Sequence, residues 1–474
     1  MINTDDIKSC ESVVRFFEEF SAIPHGSGNT SKIADYLVEF AKSRGLEYSR
    51  DTADNVVIRK PATKGYEDRP AIIFQGHLDM VAEKKPGAAI DMEKEGLTLD
   101  RDGDFLKAKD TTLGGDDGVA LAYALAVLDS DDIPHPDFEA VFTSDEEIGL
   151  LGAVALAPEA VKGRLLINID SDAEGIFTVG CAGGMRSDVS LPVKRECVGG
   201  ESYRLKVYGF KGGHSGVEID KGRVNACKAL VEILTGIEDI RVNDIRGGNA
   251  DNAIPRECEC IFTKENVETE KLLSFANDVL AKYTDIEPDA SVSLEACDSA
   301  PAPISADDSE KLIAMLAELP SGIIAMSYDI EGLVETSLNM GILKASDAHV
   351  DVSFSVRSAK GQEKRALGDR LAAIAQSYGA SYSERGEYPA WEYKQDSHLR
   401  DVMVEVYEKM YGRSPEVVII HAGLECGIFS EKLPGIDCVS IGPDNFDIHT
   451  TEERLSLSSL ARVWEYLKAV LKEI

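Results

Sequence analysis

Three short apolar runs in the first third of the chain each end in clustered His, Asp or Glu. Ala71 to Phe74 leads into Gln75-Gly-His77-Leu-Asp79, Ala140 to Phe142 into Thr143-Ser-Asp145-Glu146-Glu147, and Leu165 to Ile169 into Asp170-Ser-Asp172. A Gly114-Gly115-Asp116-Asp117-Gly118 turn opens a candidate helix, and a late apolar run ending at Ile441 leads through Gly442-Pro443 to His449. Carboxylates crowded together repel one another unless a cation neutralises them. Imidazoles and carboxylates without thiolates suit Zn2+, Mn2+ or Co2+ in a reactive site, whereas a structural zinc site favours cysteine. So many carboxylates point to two ions, one carboxylate bridging them. Adjacent Glu146 and Glu147 then divide the labour, one binding metal while the other takes a proton from activated water.

Each motif alone has an ordinary reading. An HxD pair is common on surfaces, an acidic triplet is usually a solvated patch, and GGDDG reads as an acidic turn and helix cap. Their shared place at strand ends carries the metal reading, because ligands of open α/β sheets collect beyond the carboxyl ends of the strands. His25, His135, His349 and His398 are expected to be ordinary surface or loop residues. Two further loops stand out. Gly212-Gly213-His214-Ser215-Gly216 puts a histidine on a glycine frame, either a tight turn or a group able to reach into a cleft as a hydrogen-bond donor. Glu425, after the run Val417 to Ile420, is placed to hold a cationic amine. Arg357 ends an alternating strand and reads as a carboxylate clamp or a surface residue.

The elements that position these residues alternate. A helix from Thr30 or Ser31 to Arg44 is stopped by Gly45, and Val119 to Leu128 reads as a buried helix. Runs at Val56 to Ile58, 71–74, 140–142 and 165–169 are too short for helices and lack polar alternation, as strands buried on both faces do. The pattern predicts an α/β catalytic domain built on a mostly parallel sheet. From about Arg186 the strands alternate in and out (Tyr203 to Val207, Val350 to Val356) and the helices lengthen, near Ala226 to Leu234 and Lys271 to Lys282. That texture predicts an inserted α+β domain over 186–388, with 1–185 and 389–474 forming the catalytic domain. No repeat is visible in the sequence.

Composition excludes several partners. The chain has 474 residues, 50 Lys and Arg against 84 Asp and Glu, and a formal charge of −34, which repels nucleic acid and anionic lipid alike. No stretch approaches the roughly 18 to 20 apolar residues of a membrane span, and the first residues lack a signal-peptide core, so a cytoplasmic location is expected. Nine scattered cysteines without a CxxC pair read as reduced thiols.

Taken together the motifs resemble the aminoacyl-histidine dipeptidases, the carnosine-cleaving branch of the zinc-dependent aminopeptidase, carboxypeptidase and aminoacylase clan. The resemblance spans nearly the whole chain, from Ile23-Pro24-His25 to His421-Ala-Gly-Leu-Glu-Cys-Gly427. It includes Gly180-Cys-Ala-Gly-Gly184, Lys211-Gly-Gly-His-Ser-Gly216 and Asn252-Ala-Ile-Pro-Arg-Glu257. It implies an enzyme that cleaves unblocked dipeptides by a metal-bridging hydroxide, with two divalent ions, zinc ahead of manganese or cobalt. By the same resemblance His77, Asp116 and Asp170 hold one ion and Asp116, Glu147 and His449 the other, with Asp116 as the bridge. Asp79 orients His77, Glu146 is the general base, and His214, from an inserted lid domain, stabilises the oxyanion. Asn252, Arg357 and Glu425 bind the substrate, and the enzyme is a homodimer. The rivals are an aminoacylase or other amidohydrolase of the same clan, and a non-catalytic binding protein that kept the fold. The chain departs from the family pattern at Gly115, where relatives often have Ala, at Asp117, where they often have Asn, and in the Asp447-Ile-His-Thr setting of His449.

Overall fold

In a computed structural model the described residues are 8–328, 330 and 332–474, and they divide into two compact units. The first takes the chain up to Cys181, then Tyr393–Ile419 and Leu424–Ile474; the second takes Ala182–Glu392 and the short return Ile420–Gly423.

The first unit is built on an eight-stranded sheet. Its order is Glu47–Arg50, Val56–Lys60, Phe138–Thr143, Ile72–His77, Leu165–Asn168, Asp437–Ser440, Ile176–Cys181 and Glu416–Ile420. The four central strands run parallel, pairing His77 with Thr143, Gln75 with Asn168 and Ser440 with Asn168. Every residue of these four strands is buried, which explains their unbroken apolar runs. The flanks differ from the parallel expectation, since Val56–Lys60 and Ile176–Cys181 pair antiparallel to their neighbours. The helix Gly115–Asp129 is buried on nearly all sides and the amphipathic Leu457–Glu473 covers the core with one face. Leu121, Leu125, Leu460 and Leu467 are each at most 1% exposed, and each such side chain contributes roughly 1.5 to 3 kcal/mol. The parallel strands all end on one edge, and there the polar residues begin.

The second unit carries a nine-stranded antiparallel sheet with an internal symmetry that the sequence conceals. Gly183–Pro192, helix Ala306–Glu318, Val334–Ala345, His349–Ser358, helix Gly361–Ser377 and Ser381–Tyr388 form one β-α-β-β-α-β module. Inserted after its first strand is a second such module: Glu201–Tyr208, helix Ala226–Thr235, Arg241–Gly247, Cys258–Lys264, helix Thr269–Ala281 and Ser291–Ala296. The modules join edge to edge through Arg246 opposite Lys344 and Gly247 opposite Leu343. Gly322–Met326 pairs along the remaining edge of Val334–Ala345. Among the described residues no helix is long and apolar enough to cross a membrane, and none of the nine cysteines forms a disulfide.

Candidate active site

His77 is the last residue of its strand, so the parallel sheet delivers its ring to the polar edge. Its Nδ1 lies 2.9 Å from the Asp79 main-chain oxygen, a contact that places the ring proton on Nδ1 and leaves Nε2 to face the site. Nε2 is 3.0 Å from Asp116 Oδ1 and 3.9 Å from Asp170 Oδ1. On the other side His449 Nε2 lies 3.1 Å from Asp116 Oδ2 and 3.0 Å from Glu147 Oε1. Asp116 thus turns one oxygen to each imidazole. The ligand atoms of His77, Asp116 and Asp170 fall within 4.8 Å of one another, as do those of Asp116, Glu147 and His449. A further set of the same span joins His77, Glu146 and Glu147.

The electrostatics of this cluster are those of a site made for cations. Burial alone would push the Asp116 carboxyl up, but the His449 and His77 rings hold it below the usual carboxylate range. Asp116 and then Glu147 raise His449 to about 10, and against its own burial His77 is held well above the ordinary imidazole value by Asp116 and Asp79. Burial, reinforced by Asp116, pushes Asp170 well up. Glu146 is carried to about 8 by burial, with Glu425, Asp116 and Glu147 adding to it. Asp170 Oδ2 is buried without a hydrogen-bond partner among the described residues. Oxygen and imidazole donors in this arrangement fit two divalent ions, and protons now do part of the neutralising. A metal bound through His449 would displace its proton, so loading at neutral pH should release protons and tighten as pH rises toward about 10. Calorimetry in two buffers of different ionisation enthalpy reads that release, and an identical heat in both would contradict it.

Around the cluster, Asp79 faces His77 and also binds the neighbouring turn. Its carboxylate Oδ1 is 3.5 Å from His77 Nδ1 and also accepts the main-chain N–H of Glu146 at 2.9 Å. Oδ2 accepts from Ser27 Oγ at 2.8 Å and from the Glu147 N–H at 3.3 Å. Asp79 therefore ties the His77 strand to the Glu146-Glu147 turn. Glu425 is fully buried, with Oε2 accepting from Gln75 Nε2 at 2.5 Å and Thr143 Oγ1 at 2.6 Å. Burial raises it to about 7, and Oε1 is left without a partner among the described residues. His25 and His135 lie on loops but are 4% and 0% exposed, not surface residues.

His214, Asn252 and Arg357 belong to the second unit. His214 Nδ1 accepts two main-chain N–H groups, from Gly216 and Val217, each at 3.2 Å. That fixes the proton on Nε2 and makes the outer nitrogen a donor, while burial and then Arg357 lower the ring's pKa and keep it neutral. The Asn252 carbonyl accepts the Ser215 N–H at 2.8 Å, joining the two loops, and both residues His214 and Asn252 line a groove of about 1020 Å³. Arg357 is 6% exposed; among the described residues no carboxylate pairs with it and its Nε has no partner.

Residues 73–473 match the model of peptidase family M20/M25/M40. The chain belongs to this family. This M20 peptidase is 36% identical over 467 residues to the cytosol non-specific dipeptidase of Escherichia coli, covering 97% of the chain and 96% of the relative. Among solved structures it matches the aminoacylhistidine dipeptidase of Vibrio alginolyticus with a TM-score of 0.92 and 34% identity, covering 98% and 96% of the two chains. The aminopeptidase PepT of Bacillus cereus, at 18% identity and a TM-score of 0.56, shares the fold. The family resemblance and the α/β class read from the sequence both hold.

One residue that sequence reasoning missed stands out in the M20 peptidase. Glu453 is 3% exposed, and its two oxygens accept the N–H groups of Leu113, Gly114 and Gly115 at 2.7, 3.0 and 2.8 Å. Three consecutive amides on one carboxylate fix the backbone from which Asp116 reaches both imidazoles. Gly115 and Asp117 flank Asp116. A Cβ at Gly115 would sit 2.8 Å from the side-chain amide of Asn445, so the glycine here leaves room for that amide. Asp117 is 1% exposed and Oδ2 accepts the His77 N–H at 3.1 Å. Burial pushes its carboxyl well above the usual carboxylate range.

Proposed function

We propose that this M20 peptidase cleaves unblocked dipeptides, Xaa-His among them; one full-length relative is named a non-specific dipeptidase and the other an aminoacylhistidine dipeptidase. The observation that carries the reading is Asp116, whose two oxygens face two different imidazoles. His77, Asp116 and Asp170 would hold one ion, and Asp116, Glu147 and His449 the other, with zinc the proposed metal. When bound, the ions polarise the scissile carbonyl and make a water acidic enough to be deprotonated. Glu146 takes the proton from that water and returns it to the leaving amine. His214, from the second unit acting as a lid, donates Nε2–H to the oxyanion, and Arg357 receives the C-terminal carboxylate. Asn252 supports the His214 loop at the substrate, and Oε1 of Glu425 receives the free amine. We place the enzyme in the cytoplasm as a homodimer, with the catalytic domain over 1–185 and 389–474.

The deciding experiment offers zinc-loaded protein an Xaa-His dipeptide, the same dipeptide N-acetylated, and a panel of other dipeptides. Hydrolysis of the unblocked substrates alone is expected. Cleavage of the acetylated one in preference would make it an aminoacylase, and no cleavage of any would make it a binding protein.

His214→Ala should lower kcat by roughly 10² to 10³ with little change in KM or bound metal, as for other oxyanion donors. If the donor comes from the partner subunit, mixing Glu146→Gln with His214→Ala chains restores some activity. Unchanged kinetics in the single variant would reduce the loop to a turn.

A further inference from the structure

We infer that Tyr388 is a positioning residue that holds Arg357 ready for the substrate's carboxylate by reaching over Gly184; the inference rests on the reading of Arg357 as the carboxylate clamp. Three residues stand abreast on adjacent strands. Arg357 pairs with Gly184, and Gly184 pairs on its other side with Tyr388. Strands are spaced roughly 4.8 Å apart, so the outer two backbones are roughly 10 Å apart. Only a long ring laid across the middle strand can join them, and Arg357 Nη1 does donate to Tyr388 Oη at 3.0 Å.

The crossing is possible because the middle position has no side chain. A Cβ on Gly184 would lie 2.4 Å from Tyr388 Oη and 2.5 Å from Cζ. The ring's edge is bounded by Gly423, where a Cβ would lie 2.8 Å from Cε2. Both glycines come from stretches that drew attention in the sequence, Gly180-Cys-Ala-Gly-Gly184 and His421-Ala-Gly-Leu-Glu-Cys-Gly427, and no step of the chemistry uses them. Lys364, 2% exposed, donates to the Tyr388 carbonyl at 2.5 Å and fixes the backbone from below. A buried guanidinium without a carboxylate partner is costly unless a ligand supplies one. Holding that guanidinium by a neutral phenol sets its direction and leaves its charge unspent.

The substrate carboxylate lies beside the leaving amine, but its charge does not change as the bond breaks, so it is held alike in ground and transition states and its loss appears in KM rather than kcat. Tyr388→Phe keeps the ring between the glycines and removes only the hydroxyl. It should raise KM for an Xaa-His dipeptide about tenfold with kcat within about twofold, the low end for a hydrogen bond to a charged group. The C-terminal amide of the same dipeptide should be unaffected, so the preference for acid over amide falls by the same factor. Gly184→Ala, which displaces the ring, should lower that preference too, and Arg357→Ala should lower it most. If Arg357→Ala lowers the preference and neither Tyr388→Phe nor Gly184→Ala does, Tyr388 has no positioning role while the clamp stands. If Arg357→Ala leaves the preference intact, the clamp reading fails and the inference falls with it.

Discussion

Glu146→Gln protein, fully loaded with metal, should turn over dipeptides at least about 10²-fold more slowly than the parent, the low end of what general acid–base catalysis contributes. Glutamine keeps the shape but cannot accept a proton. The residue stands next to Glu147 on a turn whose main-chain N–H is held by Asp79 at 2.9 Å, so the turn itself survives the exchange. Metal content should stay near that of the parent, because neither of the two ligand sets that share Asp116 includes Glu146. The pH profile carries a second signature. A base must be ionised, and burial holds this one at about 8, so activity falls on the acid side; cations beside it shift that limb below pH 8. In Glu146→Gln the limb should disappear from the residual rate. Near-normal turnover in fully metallated Glu146→Gln would remove the residue from the mechanism.

What the sequence disclosed depended on how local each signal was. The strand ends at His77, Glu146 and Asp170 were legible because a buried parallel strand is a short apolar run and its polar exit follows at once. The helix Ser31–Arg44 with Gly45 beyond it was legible for the same reason. Glu453 was not, since it serves amides some 340 positions away and no spacing rule connects a carboxylate to so distant a loop. The paired modules of the second unit were hidden because one interrupts the other after its first strand, so no constant period exists in the sequence. Gly184 is conspicuous in sequence, but its purpose requires knowing that Arg357 and Tyr388 flank it. Asp79 was read as meeting His77 through its carboxylate, which lies 3.5 Å from Nδ1; that its carbonyl lies nearer, at 2.9 Å, is a matter of backbone geometry that residue type does not disclose.

Asp116→Ala should be the most damaging change of all. Asp116 is the one carboxylate common to the His77–Asp170 and Glu147–His449 sets, so its removal takes a ligand from both ions together. It also removes the negative charge that both imidazoles face at 3.0 and 3.1 Å, leaving two rings and no bridge between them. Without the ions, neither carbonyl polarisation nor water activation is available, and hydrolysis should fall to background. The alanine protein should still fold, since the Leu113-Gly114-Gly115 backbone remains anchored on Glu453 and circular dichroism can verify it. The direct test is elemental analysis of dialysed Asp116→Ala beside the parent protein. The parent should retain about two metal ions per chain and Asp116→Ala fewer than about one; two ions retained in the variant would contradict the shared carboxylate on which the account rests.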